Sequence, residues 1–157
     1  LQVVLVSDED ESDNDFRDNP QELLKLVKQE FSDKKKFKFH SIIVREEDQA
    51  CADVWEHTVG ETYSELSRLT KGLIGNICAS NYTDQLKAIG EDIRNQLSQF
   101  DLECLPWDTT GDGLPDIEVE FDTQVTPIHY YLDGKTLIFE QAPPIGKHKL
   151  HYHCPVR

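Results

Sequence analysis

Immediately after the apolar opening LQVVLV, the sequence sets a burst of hard oxygen donors: Ser7-Asp8-Glu9-Asp10-Glu11-Ser12-Asp13-Asn14-Asp15. Carboxylate and hydroxyl oxygens suit Mg²⁺ or Ca²⁺, and Mg²⁺ sites use only one or two carboxylates with water, so Asp8 and Asp10 are the expected ligands. A bare run of charge also serves as a solvated acidic loop. Acids at the ends of parallel strands can also hold Mg²⁺ for phosphoryl chemistry, a phosphatase-like alternative. That alternative lacks a Lys at a later strand end and fits poorly with disulfides.

A second set of donors is Asp108-Thr-Thr-Gly-Asp112-Gly-Leu-Pro-Asp116. In the spacing of calcium loops, positions one, three, five and nine fall on Asp108, Thr110, Asp112 and Asp116. Leu114 can add its carbonyl, and Gly113 permits the sharp turn. The twelfth position, where a bidentate Glu belongs, is Val119, and the same residues also build a plain Asp-Gly turn. His151 and His153 share one strand face at a period of two, with His129 expected on a neighbouring strand. Three imidazoles fit zinc, but exposed cross-strand histidine is the commoner arrangement. Asn81-Tyr82-Thr83 matches the N-glycosylation pattern, yet a helix cap due at that position accounts for it. No Gly-rich phosphate loop, Gly-x-Ser-x-Gly elbow or His-Glu-x-x-His helix is present, so a non-catalytic protein is expected.

The four cysteines, Cys51, Cys78, Cys104 and Cys154, lack C-x-x-C spacing and point to disulfides in an oxidising compartment. Three pairings are open. Cys51 with Cys78 and Cys104 with Cys154 is favoured, because each pair then stays within one of two segments. Thirty Asp and Glu against sixteen Lys and Arg give a formal charge of −14, which opposes nucleic acid and anionic membranes. No apolar run reaches the ~18 residues a membrane span needs.

These donors must be positioned by the elements around them. LQVVLV has the form of a central parallel strand delivering a loop at its carboxyl end. Asn19-Pro20 opens a helix over residues 20–31, with Leu23, Leu24, Val27 and Phe31 on one face. Residues 37–44 alternate as a strand, and residues 45–58 read as a polar loop on the same sheet edge as the first acids. A helix over residues 60–70 stops at Gly72, residues 73–77 form a strand, and residues 81–99 form a helix. Alternating strand and helix predicts a Rossmann-like parallel sheet wrapped by helices over residues 1–100. Beyond Phe100 the period becomes two, with short strands over 101–105, 117–121, 128–132, 136–140 and 149–154 and a turn at Asp133-Gly134. Residues 101–157 are thus expected to form a small antiparallel β unit closed by a disulfide.

The order VVLVSDED, helix, FKFHSIIV, a loop with Cys51, then ETYSELSRLTKGLIGNIC and a helix ending in Phe100 resembles the second half of a von Willebrand factor A domain in its secreted bacterial form. The resemblance covers residues 1–100. It implies that Asp8 belongs to a metal-ion-dependent adhesion site holding Mg²⁺ or Ca²⁺, and that Cys51 and Cys78 correspond to a cysteine pair. The Asp-x-Ser-x-Ser element of the family's first strand has no counterpart here and would lie upstream of Leu1. The implied function is adhesion or ligand binding by a secreted, periplasmic or cell-surface module, the partner being a protein or glycan on another cell or in a surface complex. A structural module of such a complex, stiffened by calcium at residues 108–116, is the alternative.

Overall fold

The computed structural model describes residues 1–11, 19–31, 36–55, 58–122, 128–144, 146 and 148–155. The later part of the first acidic run, Ser12 through Asp15, lies outside the described residues. The chain divides into two compact units, Leu1–Ile89 and Gly90–Arg157.

In the first unit, β1 (Gln2–Val6), β2 (Lys38–Ile43) and β3 (Ile74–Asn76) form a parallel sheet in the order β1-β2-β3. The centre is therefore β2, and β1 lies at the margin of the described sheet, which corrects the expectation of a central first strand. Exposure shows the reason for the error. The run of β-branched residues looks buried on both faces, yet Val4 and Val6 are 42% and 59% exposed. The strand that does lose both faces to the interior is β2, where Phe39 through Ile43, and Val44 after them, are all buried.

Helices α1 (Pro20–Phe31), α3 (Glu61–Leu69) and α4 (Thr83–Leu97) follow the expected periodicity. Asn19 Oδ1 accepts the Gln21 N–H at α1, and Asn81 Oδ1 accepts the Thr83 N–H at α4, so these two helix starts have a local side-chain acceptor. A fourth helix, α2 (Gln49–Trp55), stands in the stretch expected to be loop. It is capped by Asp48, whose carboxylate accepts the Cys51 N–H, and it buries Cys51 and Ala52 against Val44.

The end of α3 shows how tightly this unit closes. Lys71 takes a positive φ of 58°, and Lys71 and Gly72 return their N–H groups to Arg68 and Ser67, a left-handed helix stop. Gly72 itself serves a different need: a Cβ there would lie 1.8 Å from the Phe39 carbonyl oxygen of β2. Beside it, Thr70 Oγ1 accepts the Phe39 N–H at 3.0 Å.

The second unit holds two antiparallel sheets where a single β unit was expected. β4 (Gln99–Asp101), β7 (Thr136–Phe139) and β6 (Tyr130–Asp133) form one, in the order β4-β7-β6; β5 (Ile117–Phe121) and β8 (His148–Tyr152) form the other. Asp133 pairs with Thr136, so the two-residue loop is Gly134-Lys135, one residue later than expected, with Gly134 at positive φ. Leu102, Leu137 and Phe139 form a buried centre, packed by Ile117, Val119, Phe121, Leu150 and Tyr152 from the second sheet. Disulfides join Cys51 to Cys78 and Cys104 to Cys154.

Because the obstacle to a side chain at position 72 is backbone, it cannot swing aside. Gly72→Ala is expected to cost about 3 kcal/mol or more, read as a lower urea midpoint; an unchanged midpoint would show that the close approach is not obligatory.

Candidate functional site

The carboxyl ends of the three parallel strands carry the acidic loop after β1, the loop leading to α2, and the residues after β3. Crevices at this end are where open α/β sheets place ligands. Here the loops are braced to one another. Asp48 accepts a hydrogen bond from the Asn76 side-chain amide, Asn76 Oδ1 accepts the Cys78 N–H at 2.8 Å, and the Cys51–Cys78 disulfide joins the last two loops covalently.

Within the acidic loop, Asp8 sits in an exposed bend, while Asp10 is turned inward onto α3. Its Oδ2 accepts the Thr62 N–H at 3.0 Å and its Oδ1 the Tyr63 N–H at 3.4 Å. α3 has Gly60 at its N-cap with no side-chain cap of its own. Asp10 supplies the missing acceptor from 52 residues away, and its charge complements the positive end of the helix dipole. The Asp10 N–H meets Thr58 Oγ1 at 3.3 Å. Burial, then the Glu11 and Asp10 carboxylates, push the Tyr63 phenol above its ordinary pKa. Asp10 is thus engaged with the start of α3, while Asp8 stands in the exposed bend before it.

The loop at residues 108–116 is built otherwise. Gly111 and Gly113 both take positive φ, which lets successive N–H groups turn inward. Asp108 Oδ1 accepts the N–H groups of Gly111 and Asp112, and Oδ2 that of Gly113 at 2.7 Å. Asp116 Oδ2 accepts the Thr109 N–H at 2.6 Å, the Thr109 hydroxyl, and the Thr110 N–H at 3.2 Å. Thr110 Oγ1 stands 3.3 Å from Asp108 Oδ1 and 3.5 Å from Asp116 Oδ1, so three of the four expected ligands converge. The fourth, Asp112, accepts the Leu114 N–H at 2.8 Å. Thr109 is the residue sequence reasoning missed; only its place between Asp108 and Thr110 pointed to it.

These hydrogen bonds favour the ionised carboxylates. The Gly113 N–H, followed by those of Gly111 and Asp112 and the Thr110 hydroxyl, holds Asp108 below the usual carboxylate range. The Thr109 hydroxyl and N–H, then the Thr110 groups, do the same for Asp116.

A neighbouring cavity of about 590 Å³ is lined by Thr109, Asp116, Glu118, His151, Tyr152 and His153. His151 pairs across from Glu118 on β5 and lies 3.8 Å from Glu120. His129 is elsewhere: its carbonyl accepts the Glu140 N–H beside the other sheet, because β8 pairs with β5 and not with β6. The three histidines do not form one site. Among the described residues, no three His, Cys, Asp or Glu side chains gather as a metal-holding group. Asp108, Asp112 and Asp116 are no exception, and the oxygens that meet at residues 108–116 are those of two carboxylates and the Thr110 hydroxyl. No family model, curated protein or solved structure matches the chain.

Two outcomes follow from these contacts. Asp10→Ala is expected to lower stability by about 1 kcal/mol, the usual worth of an N-terminal cap; an unchanged urea midpoint would show that α3 does not depend on this carboxylate. Since the folded-state pKa values of Asp108 and Asp116 are depressed, the order they give the loop is complete above the ordinary carboxylate value, near ~3.9. It is lost as pH falls through the lower folded values. Amide resonances of Gly111 and Gly113 are expected to hold steady down to about pH 4 and to move toward random-coil positions below it.

Proposed function

We propose that this chain is a non-catalytic, extracytoplasmic module of a secreted, periplasmic or cell-surface complex, stiffened by Ca²⁺ at residues 108–116. The observation that carries this reading is the Thr110 hydroxyl standing between the Asp108 and Asp116 carboxylates. Two anionic groups and a neutral oxygen held at one point suit a hard divalent cation, with water completing its shell. When bound, the ion would neutralise carboxylates that otherwise repel one another and would draw the loop onto the strand that begins at Ile117. Both cysteine pairs as disulfides support an oxidising location. Among the described residues, no helix is long and apolar enough to cross a membrane.

A second reading is adhesion through a metal at Asp8, with a protein or glycan partner. Its support is the gathering of three loops at the carboxyl end of a parallel sheet whose strands alternate with helices, β1-α1-β2-α2-α3-β3-α4, together with the sequence resemblance to the second half of a von Willebrand factor A domain. Against it stand the marginal place of β1 and the use of Asp10 as the cap of α3. The structural reading therefore takes precedence.

Calcium titrated into the metal-free protein separates the two. At a hundredfold excess over Kd, one bound ion adds about 2.7 kcal/mol of stability, seen as a rise in Tm. That rise is expected to disappear in Asp108→Ala and Asp116→Ala and to survive in Asp8→Ala. A rise lost only in Asp8→Ala favours adhesion, and no rise with any divalent cation overturns both metal sites.

A further inference from the structure

His40 lies in the middle of β2 with its side chain withdrawn from solvent, and both ring nitrogens are engaged. Nδ1 lies 3.1 Å from the Leu73 backbone nitrogen. That N–H can only donate, so Nδ1 carries a lone pair and the ring proton sits on Nε2. Nε2 then donates to Gln2 Oε1 at 3.0 Å. One neutral imidazole thus ties β1 and the residue leading into β3 to the strand between them.

The neighbours on this face of the sheet follow from the register. β1 contributes Gln2, Val4 and Val6; β2 contributes Lys38, Ile42 and Val44; the β3 side contributes Leu73 and Gly75. Lys38 is the one charged group among these positions, and its sign opposes a second cation. From α4, Gln85 reaches the face at Gly75, with Asp84 and Lys87 beside it in sequence. α3 packs on the other face, through Ser67 against Ser41, and bears Glu61, Glu65 and Arg68.

We propose that His40 is an acid-sensitive staple of the parallel sheet, whose protonation loosens β1 and the acidic loop it carries. A solvent proton arriving at Nδ1 removes the only acceptor the ring offers to the Leu73 N–H and leaves two donors facing each other. It also places a cation where water does not reach, a cost relieved when the ring gains access to solvent. The thin cover lies on the β1 side, where Val4 and Val6 are largely exposed. In the unfolded chain the imidazole takes its proton near pH ~6.5. The folded state therefore resists a proton that the unfolded state accepts, and stability falls as pH drops below that value.

The test compares wild type with His40→Gln by urea denaturation at pH 7.5 and 5.0, alongside a nitrogen-15 NMR titration of the imidazole and amide exchange of Val3 and Leu5. The wild-type folding constant is expected to fall about 30-fold more than that of the variant between these conditions. Before unfolding, the ring is expected to hold the Nε2–H tautomer, and Val3 and Leu5 to exchange faster at pH 5.0 after correction for intrinsic rate. Equal pH dependence in the two proteins overturns the proposal. Should the variant fail to fold, the wild-type titration decides: an imidazole that titrates near pH 6.5 without change in β1 exchange overturns it equally.

Discussion

A strand that gives up water on both faces leaves no polar atom free to remain unpaired, and β2 imposes that constraint on the whole first unit. Its apolar members, Phe39, Ile42 and Ile43, supply the burial. The polar members between them, His40 and Ser41, must be satisfied from neighbouring elements, since a buried polar group without a partner costs about 1–3 kcal/mol. Ser41 meets Ser67 of α3 at 2.9 Å, and His40 meets Gln2 and Leu73. Thr70 and Gly72 complete the pattern, one bonding the Phe39 N–H and the other leaving room for its carbonyl. Strand order, the end of α3 and the seating of β1 all follow from keeping one central strand both dry and fully hydrogen-bonded.

Three of the chain's carboxylates, one in the first unit and two in the second, draw on the same physical means, while others such as Glu46 and Glu120 face cationic side chains. Backbone N–H groups hold these three: two at the start of α3 around Asp10, and five from Thr109 to Gly113 around Asp108 and Asp116. Peptide dipoles are fixed partial charges that need no counter-ion and lose no side-chain entropy. They stabilise the acids as anions and so keep Asp108 and Asp116 charged. At Asp10 the same interaction joins the acidic loop to α3, with both carboxylate oxygens accepting from the helix start. Similar acids thus acquire different roles from the backbone around them.

Local periodicity revealed the elements better than their arrangement. The helices α1, α3 and α4 follow from apolar spacing, joined at α1 and α4 by Asn caps, and the change of period after Phe100 marks the antiparallel strands. α2 escaped because seven residues are too few to show a face, and its stability rests on Asp48 and the buried Cys51 and Ala52. The marginal place of β1 could not be read locally either, since strand order is decided by non-local pairing and an apolar run looks the same at centre or edge. Likewise nothing near Asp10 announces a helix start 52 residues later. The convergence of Asp108, Thr110 and Asp116 was legible because that loop is closed by its own residues.

Each disulfide joins neighbours in the order of cysteines along the chain, the first to the second and the third to the fourth. Among these four residues, the cysteine that follows next in the chain is the native partner, Cys78 after Cys51 and Cys154 after Cys104. Consecutive connectivity of this kind makes the native cross-links the first that can form among the four when they appear in chain order. Each bond also closes within a single stretch of chain, so the two loops do not overlap along the sequence.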